Sequence, residues 1–264
     1  MPYTIKIGTS GYSYDDWRGH FYPENIPKAD MLSFYCHYFD CVELNATYYT
    51  IPPARTFQRL EEKTPDNFEF IIKTNQETTH RRKENDRAIQ QLCESIKPLE
   101  EAGKMHGFLA QFPYSFKNTE TNRKYLVQTR KLLGNSPLFV EFRNNTWLSD
   151  QVPLFLAQNN ISYVNVDEPP LRGLMPLQDI TTTTSGYIRL HGRNCAEWWE
   201  GKGSARYHYK YSKEELNEWL INISRIIKKA YKTYIFFNNH PVGNAVKNAQ
   251  QMLKILEEEK IPGL

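Results

Sequence analysis

HGFLAQFPYSFKNTETNRKYLVQTRKLLGNSPLFVEFR, residues 106–143, holds in miniature the pattern that decides the fold. HGFLAQF (106–112) is a short apolar run of strand length, TNRKYLVQTRKLL (121–133) has helical period, and PLFVEFR (137–143) is a second strand. A strand, a covering helix and another strand in so few residues make a parallel βα unit. Both strands begin apolar and end polar, the first at Gln111 and the second at Glu141 and Arg143.

The same unit repeats in both directions. YTIKIG (3–8), CVELN (41–45) and FEFIIK (68–73) are strands that precede it, with helical stretches between them. ISYVNVD (161–167), YIRLHGR (187–193) and TYIFFNN (233–239) are strands that follow. Between the sixth and seventh, EPPLRGLMPLQDITTTTSG is too rich in Pro, Gly and Thr for a good helix and predicts an irregular connection. Ser212 and Glu215 form a capping box that opens a helix at KEELNEWLINISRIIKKAY. Eight strands interleaved with helices in 264 residues predict a single-domain α/β fold, a (β/α)8 TIM barrel over residues 1–264 with long aromatic loops at its carboxyl-end face. An open doubly wound sheet would need a glycine-rich phosphate turn after the first strand, and IGTSGYS has no GxGxxG.

Composition narrows the function. A net charge of +3 without long basic blocks argues against an extended nucleic-acid surface, so any anion recognition must be local. The chain has no long uncharged apolar run, and its opening MPYTIKIG enters a strand without a signal-peptide layout; the expectation is a cytoplasmic protein with no membrane partner. Its four cysteines show neither CxxC pairing nor zinc spacing and read as reduced thiols.

In a barrel, residues at the carboxyl ends of the strands surround the active site. Here those ends carry Glu43 and Asn45, Lys73, Gln111, Glu141 and Arg143, Asn165 and Asp167, then Arg189, His191 and Arg193, and finally Asn238 and Asn239. Strand alternation predicts that Arg189, His191 and Arg193 share one face. Interlocking salt bridges are the structural alternative, but so many ionisable groups in a partly buried mouth cost desolvation that an apolar closure would avoid. Aromatic residues Trp17, Tyr48, Trp198 and Tyr207 fall in loops at the same end, and Trp198 and Trp199 cannot both bury on one tight turn.

IGTSGYSYDDWRGHFYP, CVELNATYY, FEFIIKTNQETTH, LAQFPYSF, VEFRNNTW, IRLHGRN, RYHYKYS and FFNNHPVGNAVKNA together resemble the domain-of-unknown-function 72 family over nearly the whole chain. The resemblance implies a TIM barrel related in outline to endonuclease IV and the xylose-isomerase-like enzymes, and it assigns no activity.

The residues themselves suggest an enzyme acting on a phosphate-bearing substrate, a nucleotide or nucleic acid, by hydrolysis. Arg143, Arg189 and Arg193 would grip the anion, Glu141 or Asp167 would be the base, His191 would carry a proton, and Glu43 and Lys73 would complete the catalytic group. Asn45, Gln111, Asn165, Asn238 and Asn239 would bind substrate beside the aromatic rings. The phosphate is expected where Arg189 and Arg193 meet the N-terminus of the last helix near Gly243. Two further readings stand beside this one: a non-catalytic binder of an anionic metabolite or single-stranded nucleic acid, and a metal-dependent sugar isomerase or lyase. No cofactor is predicted, since the surrounding cations would repel a divalent ion held by Glu43, Glu141, Asp167 and His191. The sequence leaves the oligomeric state open.

Overall fold

The computed structural model describes residues 3–263. In chain order the regular elements are β1 (Thr4–Thr9), α1 (Met31–Tyr35), β2 (Cys41–Leu44), α2 (Ala46–Tyr49), α3 (Ala54–Glu62), β3 (Glu69–Lys73), α4 (Asn85–Glu101), β4 (Met105–Gln111) and α5 (Glu120–Leu132). They continue with β5 (Leu138–Glu141), α6 (Gln151–Gln158), β6 (Ser162–Tyr163), β7 (Asn165–Asp167), β8 (Ser185–Leu190), α7 (Lys213–Asn217), α8 (Leu220–Ile227), β9 (Lys232–Phe237) and α9 (Asn244–Glu258). Every ladder is parallel, as the βα repeat requires.

The ladders run as two sheets rather than the single eight-stranded ring read from the sequence. One has the order β1-β9-β8-β7 and the other β2-β3-β4-β5-β6. The expected sixth strand is the reason at one seam: it breaks at Val164, so that β6 pairs with β5 and β7 pairs with β8. Val164 still donates its N–H to Val140 O at 3.0 Å. At the other seam β1 and β2 are joined by a single parallel bridge, Ser10 to Glu43, with Gly11 N donating to Glu43 O at 2.8 Å.

Residues 168–184 contain no helix, in keeping with their Pro and Gly content. The capping box of Ser212 and Glu215 forms, but the expected long helix divides at Glu218–Trp219 into α7 and α8. Trp219 is fully buried at that break. Val246, Ala249, Met252 and Leu256 of α9 pack inward along one helical face. The four cysteines are free, and among the described residues no helix is long and apolar enough to cross a membrane.

The space between the sheets is filled in layers. Near the amino ends of the strands, Glu69 accepts from Lys232 Nζ at 2.7 Å and from the Tyr234 hydroxyl. Above them the rings of Phe139, Tyr187 and Tyr234 pack with centroids 4.6–6.0 Å apart. Toward the carboxyl ends the filling turns polar, and the site begins there.

Candidate functional site

Alternation along β8 puts Arg189 inward on the same face as Tyr187, and its guanidinium meets two carboxylates delivered by other strands. Its Nη2 donates to Glu43 Oε1 at 2.6 Å and its Nη1 to Glu141 Oε2 at 2.5 Å. The Tyr187 hydroxyl donates to the second oxygen of Glu43 at 2.7 Å. Arg189 is 1% exposed, so its charge is spent inside the protein. Glu141 also accepts from Arg143 Nε at 2.6 Å, and Arg143 Nη1 donates to Glu168 Oε2 at 3.0 Å.

Protonation states follow from these contacts. Burial alone would raise the Glu141 carboxyl, but the guanidiniums of Arg143 and Arg189 outweigh it and hold the group well below the usual carboxylate range. Glu168 goes the other way: burial, only partly offset by Arg143, pushes it up to about 7. His191 is pushed down to about 3, by burial first and then by the Arg143 charge. A neutral His191 accepts at Nδ1 from the Asn238 amide, 3.0 Å away, while its Nε2 lies 3.1 Å from Arg143 Nη2 and 3.3 Å from Glu141 Oε1.

Above this network lies a cavity of about 430 Å³. Lys73, Gln111 and Arg143 reach it from the strand ends, His80 and Arg206 from the short helical turns Glu77–Arg81 and Ala205–Tyr207, and Tyr48, Tyr49, Tyr114, Trp198, Trp199 and Tyr207 form its aromatic walls. Among the described residues no Asp or Glu lines it. Lys73 Nζ donates to Gln111 Oε1 at 3.2 Å and sits 4.8 Å from the centre of the Tyr48 ring. Protein surrounds the amine while part of its surface stays open to the cavity. Burial, reinforced by the Arg189 charge and opposed by Glu43 and Glu141, lowers its pKa to about 8. His80 is lowered to about 4 by burial and by Lys73, so it is neutral at pH 7. Trp198 is buried beneath Arg143, 5.4 Å from the guanidinium carbon, while Trp199 is the exposed member of the pair at 50%.

Several residues expected at the mouth are elsewhere. Arg193 does not share a face with Arg189 and His191, because Gly192 takes a positive φ of 92° and turns the chain outward. A Cβ at Gly192 would come within 2.5 Å of Tyr209 Cβ, so both the space and the conformation call for glycine. Arg193 instead makes a forked pair with Asp167, at 2.9 and 2.7 Å. Asp167 also accepts from the Tyr211 hydroxyl and Trp219 Nε1, which saturates it and separates it from Glu141. The carboxylate that this strand sends inward is Glu168, one residue on, and a one-residue offset exchanges the faces of a strand.

Asn165 likewise braces the irregular connection, exchanging hydrogen bonds with the backbone of Ile180 at 2.8 and 2.9 Å. Asn239 donates to Tyr209 O and Asn248 Oδ1. Trp17 is buried and donates to His240 O at 2.7 Å. Asn45 lines a neighbouring apolar groove that shares Tyr49. The expected phosphate site at the last helix is not assembled: Arg189 and Arg193 point away from each other, and Val242 N, at the start of that turn, already donates to the Asp16 carboxylate at 2.8 Å. The ligand set considered for a metal is not brought together either, since Asp167 belongs to a different cluster.

Sequence reasoning missed Glu168, Tyr114 and Arg206. Glu168 was hidden by strand parity, although its position beside Asp167 at the head of EPPLRG was a usable signal. Tyr114 lies in a loop and Arg206 in the three-residue turn Ala205–Tyr207, both too short for a periodicity to mark orientation.

The chain belongs to the family described as protein of unknown function DUF72, whose model matches residues 6–263. It is 30% identical over 272 residues to the UPF0759 protein YunF of Bacillus subtilis (strain 168), covering 97% of this chain and 95% of that one. A crystal structure of a DUF72 family protein from Thermotoga maritima superposes with a TM-score of 0.90 at 39% identity, covering 97% of this chain and 100% of the other. A DUF72 protein from Enterococcus faecalis V583 gives 0.85 at 28% identity, with 96% of each chain covered.

Proposed function

We propose that the cavity above Lys73 is the substrate site of an enzyme for phosphate-bearing, ring-containing small molecules of the nucleotide class, and that the two sheets form its walls as one (β/α)8 barrel. Barrel closure is supported by the Ser10–Glu43 bridge at one seam and by the Val164–Val140 hydrogen bond at the other. The observation that carries the functional reading is the imbalance of charge: Lys73 and Arg206 border a cavity that no described carboxylate lines. An ammonium has three donors, and Lys73 uses one on a neutral amide oxygen. A phosphate would take the others, and the surrounding Tyr and Trp rings would stack on a planar group, as they do on nucleic-acid bases for about 1–3 kcal/mol each. Arg143 keeps an edge on the cavity while Glu141 and Glu168 fix its orientation, which makes it a rigid clamp.

Glu141 serves in this reading as a positioning residue. Both of its oxygens are engaged by guanidiniums, so it has little capacity to take a proton from substrate. That occupied base also favours the second reading, a binding protein without turnover. Calorimetric titration with a nucleoside monophosphate, the matching nucleoside and inorganic phosphate tests the shared part. Tightest binding by the monophosphate is expected, and equal affinity for the nucleoside would sink the anion reading. A short single-stranded oligonucleotide tests whether a strand end enters the same cavity, and product formation separates enzyme from binder.

A further inference from the structure

The interior and boundary lysines of this protein fall into two kinds. Lys104 is 2% exposed and is saturated by three acceptors, Glu61 Oε1, Glu61 O and Thr64 O, at 2.8–2.9 Å. Lys6 pairs with Asp40 and Lys232 with Glu69. Lys73 alone among these four lacks a carboxylate partner and faces a cavity. If anion binding were its whole task, a guanidinium on a longer stem would serve as well and would stay charged at any pH. A partly desolvated amine beside the Arg189 and Arg143 charges is instead what nucleophilic catalysis asks of a lysine.

We infer that Lys73 is a covalent group, forming an imine with the carbonyl carbon of an aldehyde or ketone that also carries a phosphate. The inference rests on the anion-binding reading above and specifies the substrate class of the same site. The amine lone pair attacks the carbonyl carbon, a C–N bond forms, and the C–O π bond breaks to give a carbinolamine. Loss of the oxygen as water, carrying both hydrogens of the amine, leaves C=N; no oxidant or reductant takes part. With the amine lowered to about 8, roughly a tenth of it is unprotonated at pH 7 and able to attack. His80, neutral and on the same cavity wall, is available to relay the proton. Gln111 holds the nitrogen over the Tyr48 ring and sets the direction of approach.

Pyridoxal 5′-phosphate is a suitable probe, because it joins an aldehyde, a planar ring and a phosphate in one small molecule. The full chain is incubated with it, reduced with borohydride, digested and mapped by mass spectrometry, with the exposed Lys83 as an internal reference. Lys73 is expected to be modified at least tenfold faster than Lys83, more slowly when pyridoxine 5′-phosphate competes, and faster as pH rises through 8. Lys73→Arg is expected to lose the adduct at that position. Binding of pyridoxine 5′-phosphate in wild type with no preference for Lys73 over Lys83 overturns the inference and leaves the anion site standing. Failure of wild type to bind pyridoxine 5′-phosphate overturns the anion reading and the inference with it. Wild-type mapping decides the matter even if the variant folds poorly.

Discussion

Arg189 and Lys73 are both cations at the carboxyl ends of strands, both are enclosed by protein, and they differ in their company. Arg189 lies between Glu43 and Glu141 with its charge matched twice over. Lys73 has one neutral amide oxygen and an aromatic ring. The first is therefore part of the scaffold and the second is open to a ligand, although the sequence offers them as members of one set. The number of charges at a barrel mouth says little about binding; the carboxylates each one has already met say much more.

The sharpest way to break this comparison is Arg189→Met. It leaves Glu43 and Glu141 buried with fewer partners, and a loss of about 3–5 kcal/mol in denaturant unfolding is expected. Unchanged stability would show that Arg189 is not the strut described. Next comes Lys73→Met, for which phosphate-ester affinity should fall tenfold or more, since a hydrogen bond to a charged group contributes about 1.5–3 kcal/mol. Stability should hold or rise, because a poorly compensated amine has been removed. A large drop in stability with unchanged affinity would reverse the two roles.

The pH dependence sharpens the comparison further. Between pH 7 and 9 the charged fraction of an amine with a pKa of about 8 falls roughly tenfold, and affinity for a phosphate ester should fall with it in wild type but not in Lys73→Met. The sign for stability is opposite. Folding lowers this pKa from the ordinary lysine value, so the unfolded chain holds the extra proton between about pH 8 and that value, and the lysine's contribution to stability rises with pH across the window. The smallest effect belongs to Trp199→Ala at the exposed rim. A few-fold loss of affinity for a ring-bearing phosphate is expected, none for inorganic phosphate, and a stability change within about 0.5 kcal/mol. Equal losses for both ligands would show that the ring is not being stacked.

Much of the architecture was legible because helix and strand periods are local. The βα repeat, the capping box at Ser212 and the helix-free 168–184 connection all depend on residues close in sequence. The polar strand ends were legible for the same reason. Their partners were not, since Glu43 and Arg189 are 146 residues apart and only the fold brings them together. Asp167 and Glu168 exchanged roles because the even-numbered residues of this strand are the inward set, Ser162 lying beside Phe139 and Val166 beside Arg189, and nothing in ISYVNVD marks which face is inward. Gly192 was legible as a glycine, but its left-handed turn, which removes Arg193 from the shared face, depends on Tyr209 packing against it. Lys73 was legible as a strand-end cation, but its lack of a carboxylate partner was not, since it depends on Arg189 and Arg143 occupying Glu43 and Glu141 in the fold.

An amine left without a counter-charge also makes folding and ligand identity readable in one experiment. An anion that paired with Lys73 in the folded chain and not in the unfolded one would by linkage raise the unfolding free energy by about 2.7 kcal/mol at a concentration a hundred times its Kd. A melting-temperature screen across phosphorylated metabolites therefore ranks candidate ligands without any assumption about the reaction. The same screen on Lys73→Met removes compounds that stabilise the protein from anywhere else.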